Sequence, residues 1–229
     1  MNIKHILVVA PLALAAVSAW SQVSGTFKVG LTQIQPHSSS SDISGSFTPS
    51  GLSLDVRSAS TLFLSYSRPV TEHWSWELAA GLPPTHDVNI VVHNSALPAS
   101  VQAYNGQVGA RARQIAPTLF ANYNFGAANS QIRPFVGVGV NYTSFDKVDS
   151  TSANNALNGG VTSLSLSDSW GLAAQVGVNL KVNDKWSLSA ALATAKVKTQ
   201  LSSNTLGITR SADITLRPAV FTLALGYSF

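Results

Sequence analysis

The alternation of apolar with small or polar residues constrains this chain most, and it is clearest from Trp170 to Val182. Trp170, Leu172, Ala174, Val176, Val178, Leu180 and Val182 recur at every second position without a miss. Period two marks a β-strand with one apolar face. The last nine residues repeat the pattern: Phe221, Leu223, Leu225, Tyr227 and Phe229 alternate with Thr222, Ala224, Gly226 and Ser228. A soluble sheet seldom leaves such a strand where fraying would expose it. A barrel in an outer membrane has a use for it. The apolar face meets lipid, the small face lines the lumen, and the closing aromatics sit at the headgroup level. An ordinary sandwich strand is the competing reading, and the rest of the chain weighs against it.

Alternation defines eight segments. They lie near Gly25 to Ile34, Leu52 to Ser67, Trp74 to Val92, Val108 to Phe125, Ile132 to Phe145, Trp170 to Val182, Trp186 to Leu201, and at the C-terminal end of the sequence. Arg68 to His73, Gly126 to Gln131 and Asn183 to Lys185 make short connections. The stretches 35–51, 93–107, 146–166 and 202–208 are mostly longer and rich in Ser, Asn and Gly. Short and long connections alternate, as periplasmic turns and extracellular loops do in outer-membrane barrels. The expected fold is therefore all-β, an eight-stranded antiparallel transmembrane β-barrel with both termini in the periplasm. Tyr66, Trp74, Phe125, Trp186, Tyr227 and Phe229 fall beside the short turns or at the C-terminus, and Tyr142 and Trp170 beside a long loop. Lipid-facing aromatic girdles at both interfaces are expected from these positions.

Composition agrees with this reading. Charged residues are 10% of the chain, against about a quarter in ordinary soluble domains. The N-terminus reads as a secretory signal over residues 1–21, with Lys4 and His5, an apolar run from Ile6 to Val17, and cleavage before Gln22. That run is too short to span a bilayer as a helix. Residues 22–229 then form one barrel domain. The absence of Cys excludes disulfides, thiolate metal sites and a lipoprotein anchor. The net charge of +4 is scattered rather than gathered in a run, which argues against nucleic acid. Outer-membrane lipids and lipopolysaccharide are the natural neighbours for it.

If the apolar rows face lipid, the intervening residues face inward. Most of these are small and uncharged, Ala79, Gly81, Gly137, Gly139, Ala173, Gly177, Ala191 and Ala193 among them, and they are expected to leave room mid-barrel. Phe63 and Phe120 are the bulky inward candidates; with Ala79 and Ala193 they are expected to line the lumen. Lys28, Glu77, Arg133 and Lys181 are the inward charges. Glu77 needs a basic partner, because a buried carboxylate without one is costly, so pairing among these four is expected.

Catalytic signals are weak. A serine hydrolase needs a Ser, a His base and an orienting acid. His93-Asn94-Ser95 has the spacing of one barrel lipase, but Glu72 and Glu77, the only Glu residues, both precede it. His86 and Asp87 are adjacent and point to opposite faces of a strand. His37, His73 and His93 form no metal-ligand pattern. No enzymatic activity, cofactor or metal is expected.

Several motifs resemble, in order, those of the OmpW family of small outer-membrane proteins. They are Phe27-Lys28-Val29-Gly30, Pro117-Thr118-Leu119, the run Arg133-Pro134-Phe135-Val136-Gly137-Val138-Gly139-Val140-Asn141-Tyr142-Thr143, Asp168-Ser169-Trp170-Gly171, Asn183-Asp184-Lys185-Trp186 and the closing Gly226-Tyr227-Ser228-Phe229. The resemblance covers essentially the whole mature chain. Leu82-Pro83-Pro84-Thr85-His86-Asp87 departs from it by lacking an aromatic, and Asp146 follows Phe145 where the family often has a second Phe. The resemblance implies an eight-stranded barrel in the Gram-negative outer membrane, inserted by the barrel-assembly machinery, with a rather apolar interior that admits small hydrophobic solutes. The expected function is passive uptake of such solutes through a narrow, largely uncharged lumen. The alternative is a closed barrel acting through its loops as a receptor, adhesin or envelope-stress protein.

Overall fold

The computed structural model describes residues 25–229. The expected signal segment, 1–21, lies outside the described residues. The described residues form sixteen strands and two short helices. In order these are β1 (Thr26–Gln35), β2 (Ser38–Ser40), β3 (Ser44–Gly45), β4 (Leu52–Val56), β5 (Ala59–Pro69), β6 (Trp74–Gly81), β7 (Thr85–Val92), α1 (Ala99–Gln102), β8 (Val108–Ile115), β9 (Thr118–Asn124), β10 (Ile132–Ser150), α2 (Ser152–Leu157), β11 (Thr162–Leu166), β12 (Ser169–Lys181), β13 (Trp186–Ala195), β14 (Val197–Thr205), β15 (Ile208–Leu216) and β16 (Ala219–Ser228).

Eight of them close a barrel in the order β1-β5-β6-β9-β10-β12-β13-β16, and β16 returns to β1 over Thr26↔Ser228 to Gln35↔Ala219. Every pairing in the ring is antiparallel, and all but the closing β16–β1 pair join ring strands that follow one another along the chain. Closure removes both sheet edges, which lipid could not hydrogen-bond. Three tight turns and both ends of the described chain lie at one end of the barrel, here the turn end. At the third turn, Asn183 Oδ1 accepts from the Lys185 and Trp186 amides, both at 2.9 Å. Four long hairpins leave the other end.

The ring's outer face is apolar. Leu31, Val138 and Leu172 are 66%, 68% and 78% exposed, far more than water would tolerate in so continuous a band. Aromatics gather at the turn end in pairs: Trp74 with Tyr123 at 5.3 Å, Tyr123 with Phe125 at 5.1 Å, Trp186 with Tyr227 at 4.9 Å, and Tyr66 with Phe229 at 6.4 Å. Tyr142 and Trp170, 4.8 Å apart, mark the hairpin end. Trp76 and Tyr123 join the turn-end girdle beyond the residues expected there.

The hairpins differ from the loops that composition suggests. Stretch 35–51 contains β2 and β3, and 93–107 contains α1. Stretch 146–166 holds the end of β10, α2 and β11, while 202–208 is the turn of a nearly continuous β14–β15 ladder. The strands run on past the apolar band and build two sheets, β4-β7-β8-β10 and β11-β14-β15-β2. Between them lies a hydrophobic core. Leu54, Val88 and Ala110 come from the first sheet, and Val197, Leu201, Ile214 and Leu216 from the second. Apolar side chains thus point outward in the ring and inward in the hairpins. In the third long segment this takes a change of phase. Trp74 to Leu82 puts even-numbered residues outside, Pro83-Pro84 interrupts the ladder, and Val88, Ile90 and Val92 then put even-numbered residues inside. A bulge between Phe145 and Lys147 does the same in β10.

Candidate functional site

The ring's interior is divided by one carboxylate. Glu77, 3% exposed, sits on β6 facing the lumen. Its Oε1 accepts from Lys28 Nζ at 3.0 Å and Ser65 Oγ at 2.7 Å. Its Oε2 accepts from Asn122 Nδ2 at 3.1 Å and Gln175 Nε2 at 3.2 Å. Gln175 also donates to Asn122 Oδ1 at 2.8 Å. Five strands therefore converge on one charge, and every carboxylate oxygen is served twice. The Lys28 ammonium lies 5.6 Å from the centre of the Phe135 ring, which is itself buried. This polar cluster with Phe135 forms a floor across the barrel.

Above the floor is a cavity of about 140 Å³. Phe63, Ala79, Phe120 and Ala193, the four expected lumen residues, all line it, with Ala173 and Ala191. Below the floor, at the turn end, is a polar chamber of about 210 Å³. Lys28 and Phe135 border both spaces, so the floor separates them.

Two of the four expected charge partners are elsewhere. Lys28 and Glu77 meet, but Arg133 and Lys181 do not join them. Arg133 donates through Nη2 to the Glu72 carbonyl at 2.6 Å, and its buried Nε has no partner. Lys181 pairs with Asp184 at 2.8 Å across the turn, with both side chains solvated. Their inward parity is right, but they lie too near the turn end to reach Glu77. The small residues also divide into two sets. A side chain at Gly137 would strike Asn122, one at Gly139 would strike Phe120, and one at Gly177 would strike the Phe135 ring. These three glycines make room for neighbours rather than for a ligand. Ala79, Gly81, Ala173, Ala191 and Ala193 border the open space.

The wall of the cavity is interrupted on one side. Pairing of β6 with β9 stops at Ala79↔Thr118, and pairing of β7 with β8 begins at Thr85↔Arg113. Pro83, Pro84 and Pro117 have no N–H to offer between them. One backbone bond crosses the seam, from the Gln114 amide to the Pro84 carbonyl at 3.0 Å. Gly81, Pro84, Gln114 and Ala116 bring this seam to the cavity.

Gln114 also borders a second space, of about 30 Å³, between the hairpin sheets. Its lining is apolar except for His86, Gln114 and Thr199. His86 is 3% exposed. Its Nδ1 lies 2.8 Å from the Arg57 carbonyl and so carries the proton, while Nε2 has no partner. Burial holds its pKa below the ordinary imidazole value, a shift opposed by the bond to Arg57. Asp87 points outward to Arg111 at 3.1 Å. His93, at the hairpin end, lies 3.1 Å from Asp42, an acid that sequence spacing did not suggest. Among the described residues no serine hydroxyl hydrogen-bonds to His93.

A closed eight-stranded ring with an apolar exterior, aromatic borders and a partitioned lumen defines a small outer-membrane β-barrel protein. The model of the OmpW family matches residues 24–229, and the chain belongs to that family. It is 32% identical to outer membrane protein W of Vibrio cholerae, over 100% of this chain and 99% of that one. The crystal structure of OprG from Pseudomonas aeruginosa superposes with a TM-score of 0.78 at 30% identity, covering 90% of this chain and 95% of that one. A Pseudomonas aeruginosa protein named for a dibenzothiophene metabolism operon is 28% identical over 99% of both chains.

Proposed function

We propose that the protein is a passive, non-enzymatic conduit that carries small hydrophobic molecules from the outer surface into the outer membrane. The carrying observation is the cavity above the Glu77 floor, lined by Phe63, Phe120 and a set of alanines. Its volume is close to that of cavities that hold one benzene-sized molecule. The relative from the dibenzothiophene operon supports an apolar, aromatic solute. In this reading the hairpins face outward from the cell and the termini lie in the periplasm. The solute passes between the hairpin sheets, occupies the cavity and leaves through the proline seam. Lipopolysaccharide surrounds the barrel, and no cofactor takes part.

Liposomes carrying the purified protein test this with a labelled monoaromatic or short alkane. Ala79→Trp with Ala193→Trp should fill the cavity and remove most of the protein-dependent uptake while the barrel still migrates as a heat-modifiable species. Unchanged uptake in the folded double variant would overturn the conduit and favour a receptor or adhesion role for the hairpins.

A further inference from the structure

We propose that the barrel's outer wall carries a binding site for the phosphates of an anionic glycolipid, built from Lys196, Lys198 and Arg217. Lys196 lies between β13 and β14, and its amide donates to the Leu172 carbonyl at 3.0 Å. Val197 is buried in the hairpin core, so Lys196 and Lys198 on either side of it face outward. The register is unbroken from Ala193↔Val220 to Val197↔Leu216, which puts Arg217 directly across from Lys196. Leu216 is buried, so Arg217 also faces outward. All three side chains are exposed, and none forms an ion pair among the described residues.

That distinguishes them from the cations on the opposite side of the hairpin end. Arg57, Arg111 and Arg113 are matched by Asp55, Asp87 and Asp146. The carboxylates on the strand segments flanking the Lys196 group are engaged otherwise. Asp168 accepts from the Tyr142 hydroxyl at 2.7 Å, and Asp213 accepts from Gln200 at 3.0 Å.

The position selects the ligand. Lys196 and Lys198 border an outer groove whose remaining walls are Val140, Trp170, Gly171 and Leu172. Trp170 and Leu172 are 73% and 78% exposed and end the apolar row of β12. From Val182 to Trp170 that row is about 40 Å along the strand at 3.3 Å per residue, or about 30 Å along the normal at a barrel's usual tilt. The cations therefore stand at the first level above the hydrocarbon. Gly171 is needed there, because a side chain would strike the Lys196 carbonyl. A free anion has no use for the apolar walls, and a neutral lipid has none for three cations. A phosphorylated glycolipid satisfies both, with acyl chains on Val140 and Leu172 and phosphate oxygens on the ammonium and guanidinium groups. The inference rests on the outward orientation of the hairpins proposed above.

Nanodiscs of zwitterionic lipid doped with bisphosphorylated lipid A, with its dephosphorylated form, or with neither plus inorganic phosphate provide the test. Retained lipid is counted by native mass spectrometry. The variant is Lys196→Gln/Lys198→Gln/Arg217→Gln, with Lys196→Arg/Lys198→Arg as the charge-conserving control. Each cation near an anionic headgroup changes affinity about fivefold, so the triple variant should bind bisphosphorylated lipid A roughly a hundredfold more weakly. The Arg control should retain binding, and added salt should weaken it in the wild type. Equal retention by the triple variant, equal binding of the dephosphorylated lipid, or saturation by inorganic phosphate would each overturn the site. Tracer uptake in lipid A-free liposomes should be unchanged in the triple variant, so loss of this site and loss of the conduit are read separately.

Discussion

The Glu77 floor makes a quantitative demand. Lys28 and Glu77 side chains are 8% and 4% exposed, and four donors lie within 3.2 Å of the carboxylate. Lys28→Met leaves the carboxylate with three neutral donors and no counter-charge. Glu77→Gln leaves an ammonium in the lumen with no anion. Breaking a buried pair from one side costs about 3–5 kcal/mol, whereas replacing both members by uncharged groups of similar volume is close to neutral. Each single variant should thus lower stability by about 3–5 kcal/mol, and Lys28→Met/Glu77→Gln by less than about 2 kcal/mol. The double-mutant cycle should return a coupling of at least about 4 kcal/mol, in the upper part of the span measured for close charge pairs. Urea unfolding of the barrel in lipid vesicles, followed by tryptophan fluorescence, gives all four values. Additive single effects of under about 1 kcal/mol each would refute the reasoning, because they would mean that water from the two chambers already screens the pair.

Three further outcomes are expected. Val176→Arg, on the outward face opposite Val136, should cost about 2–4 kcal/mol, while Ala191→Ser on the lumen side should stay near the wild type in the same unfolding assay; equal costs would reverse the assigned faces. Burial lowers the His86 pKa below the ordinary 6.5 in the fold, so the unfolded hairpins bind a proton first as pH falls through 6.5, and hairpin stability should decline until the folded value is passed. Hydrogen exchange of the β7 and β8 amides should show this at pH 5 against pH 7.5, and His86→Gln, which can still donate to Arg57, should flatten the dependence. Val161→Cys at an exposed hairpin position should react with a membrane-impermeant maleimide on intact cells and Asp184→Cys should not; the opposite pattern would invert the proposed orientation.

Much of the ring was legible because a two-residue period survives any registration of the strands. Trp170 to Val182 and Phe221 to Phe229 name their lipid face without reference to a partner. The hairpin sandwich was hidden by the same period. Val88, Ile90 and Val92 share the parity of Trp74 to Leu82 and look like a continuation of the outward row, yet Pro83-Pro84 turns the strand over between them. Parity also placed Lys28, Glu77, Arg133 and Lys181 inside, but their axial levels come from strand register, which brings only Lys28 to Glu77. Asn122 and Gln175 are 53 positions apart, and nothing local marks either as a ligand of the carboxylate. Phe135 shares the inward parity of Gly137 and Gly139 but was not among the bulky inward candidates, Phe63 and Phe120; its place in the floor comes from the register that sets it against Gly177 and Lys28.

In the conduit proposed above, the two barriers that bound the cavity are unequal, and that would decide how a solute leaves it. Downward passage must part the Lys28–Glu77 pair, at about 3–5 kcal/mol for a buried pair separated from one side. Sideways passage would meet the seam between residues 80–84 and 114–117, crossed by the Gln114-to-Pro84 backbone bond. A backbone hydrogen bond contributes about 1 kcal/mol net, and beyond it the solute meets lipid, which suits it better than the polar chamber at the turn end. The seam is therefore favoured by roughly 2–4 kcal/mol, or about 30- to 1000-fold in rate at 1.36 kcal/mol per decade. Lys28→Met/Glu77→Gln separates the routes, since it removes the charge from the floor and leaves the seam untouched. Uptake of the apolar tracer by this folded variant should stay within about twofold of the wild type, because the rate is not limited at the floor. A rise of about tenfold or more would place the path through the floor and make the proline seam a structural break alone.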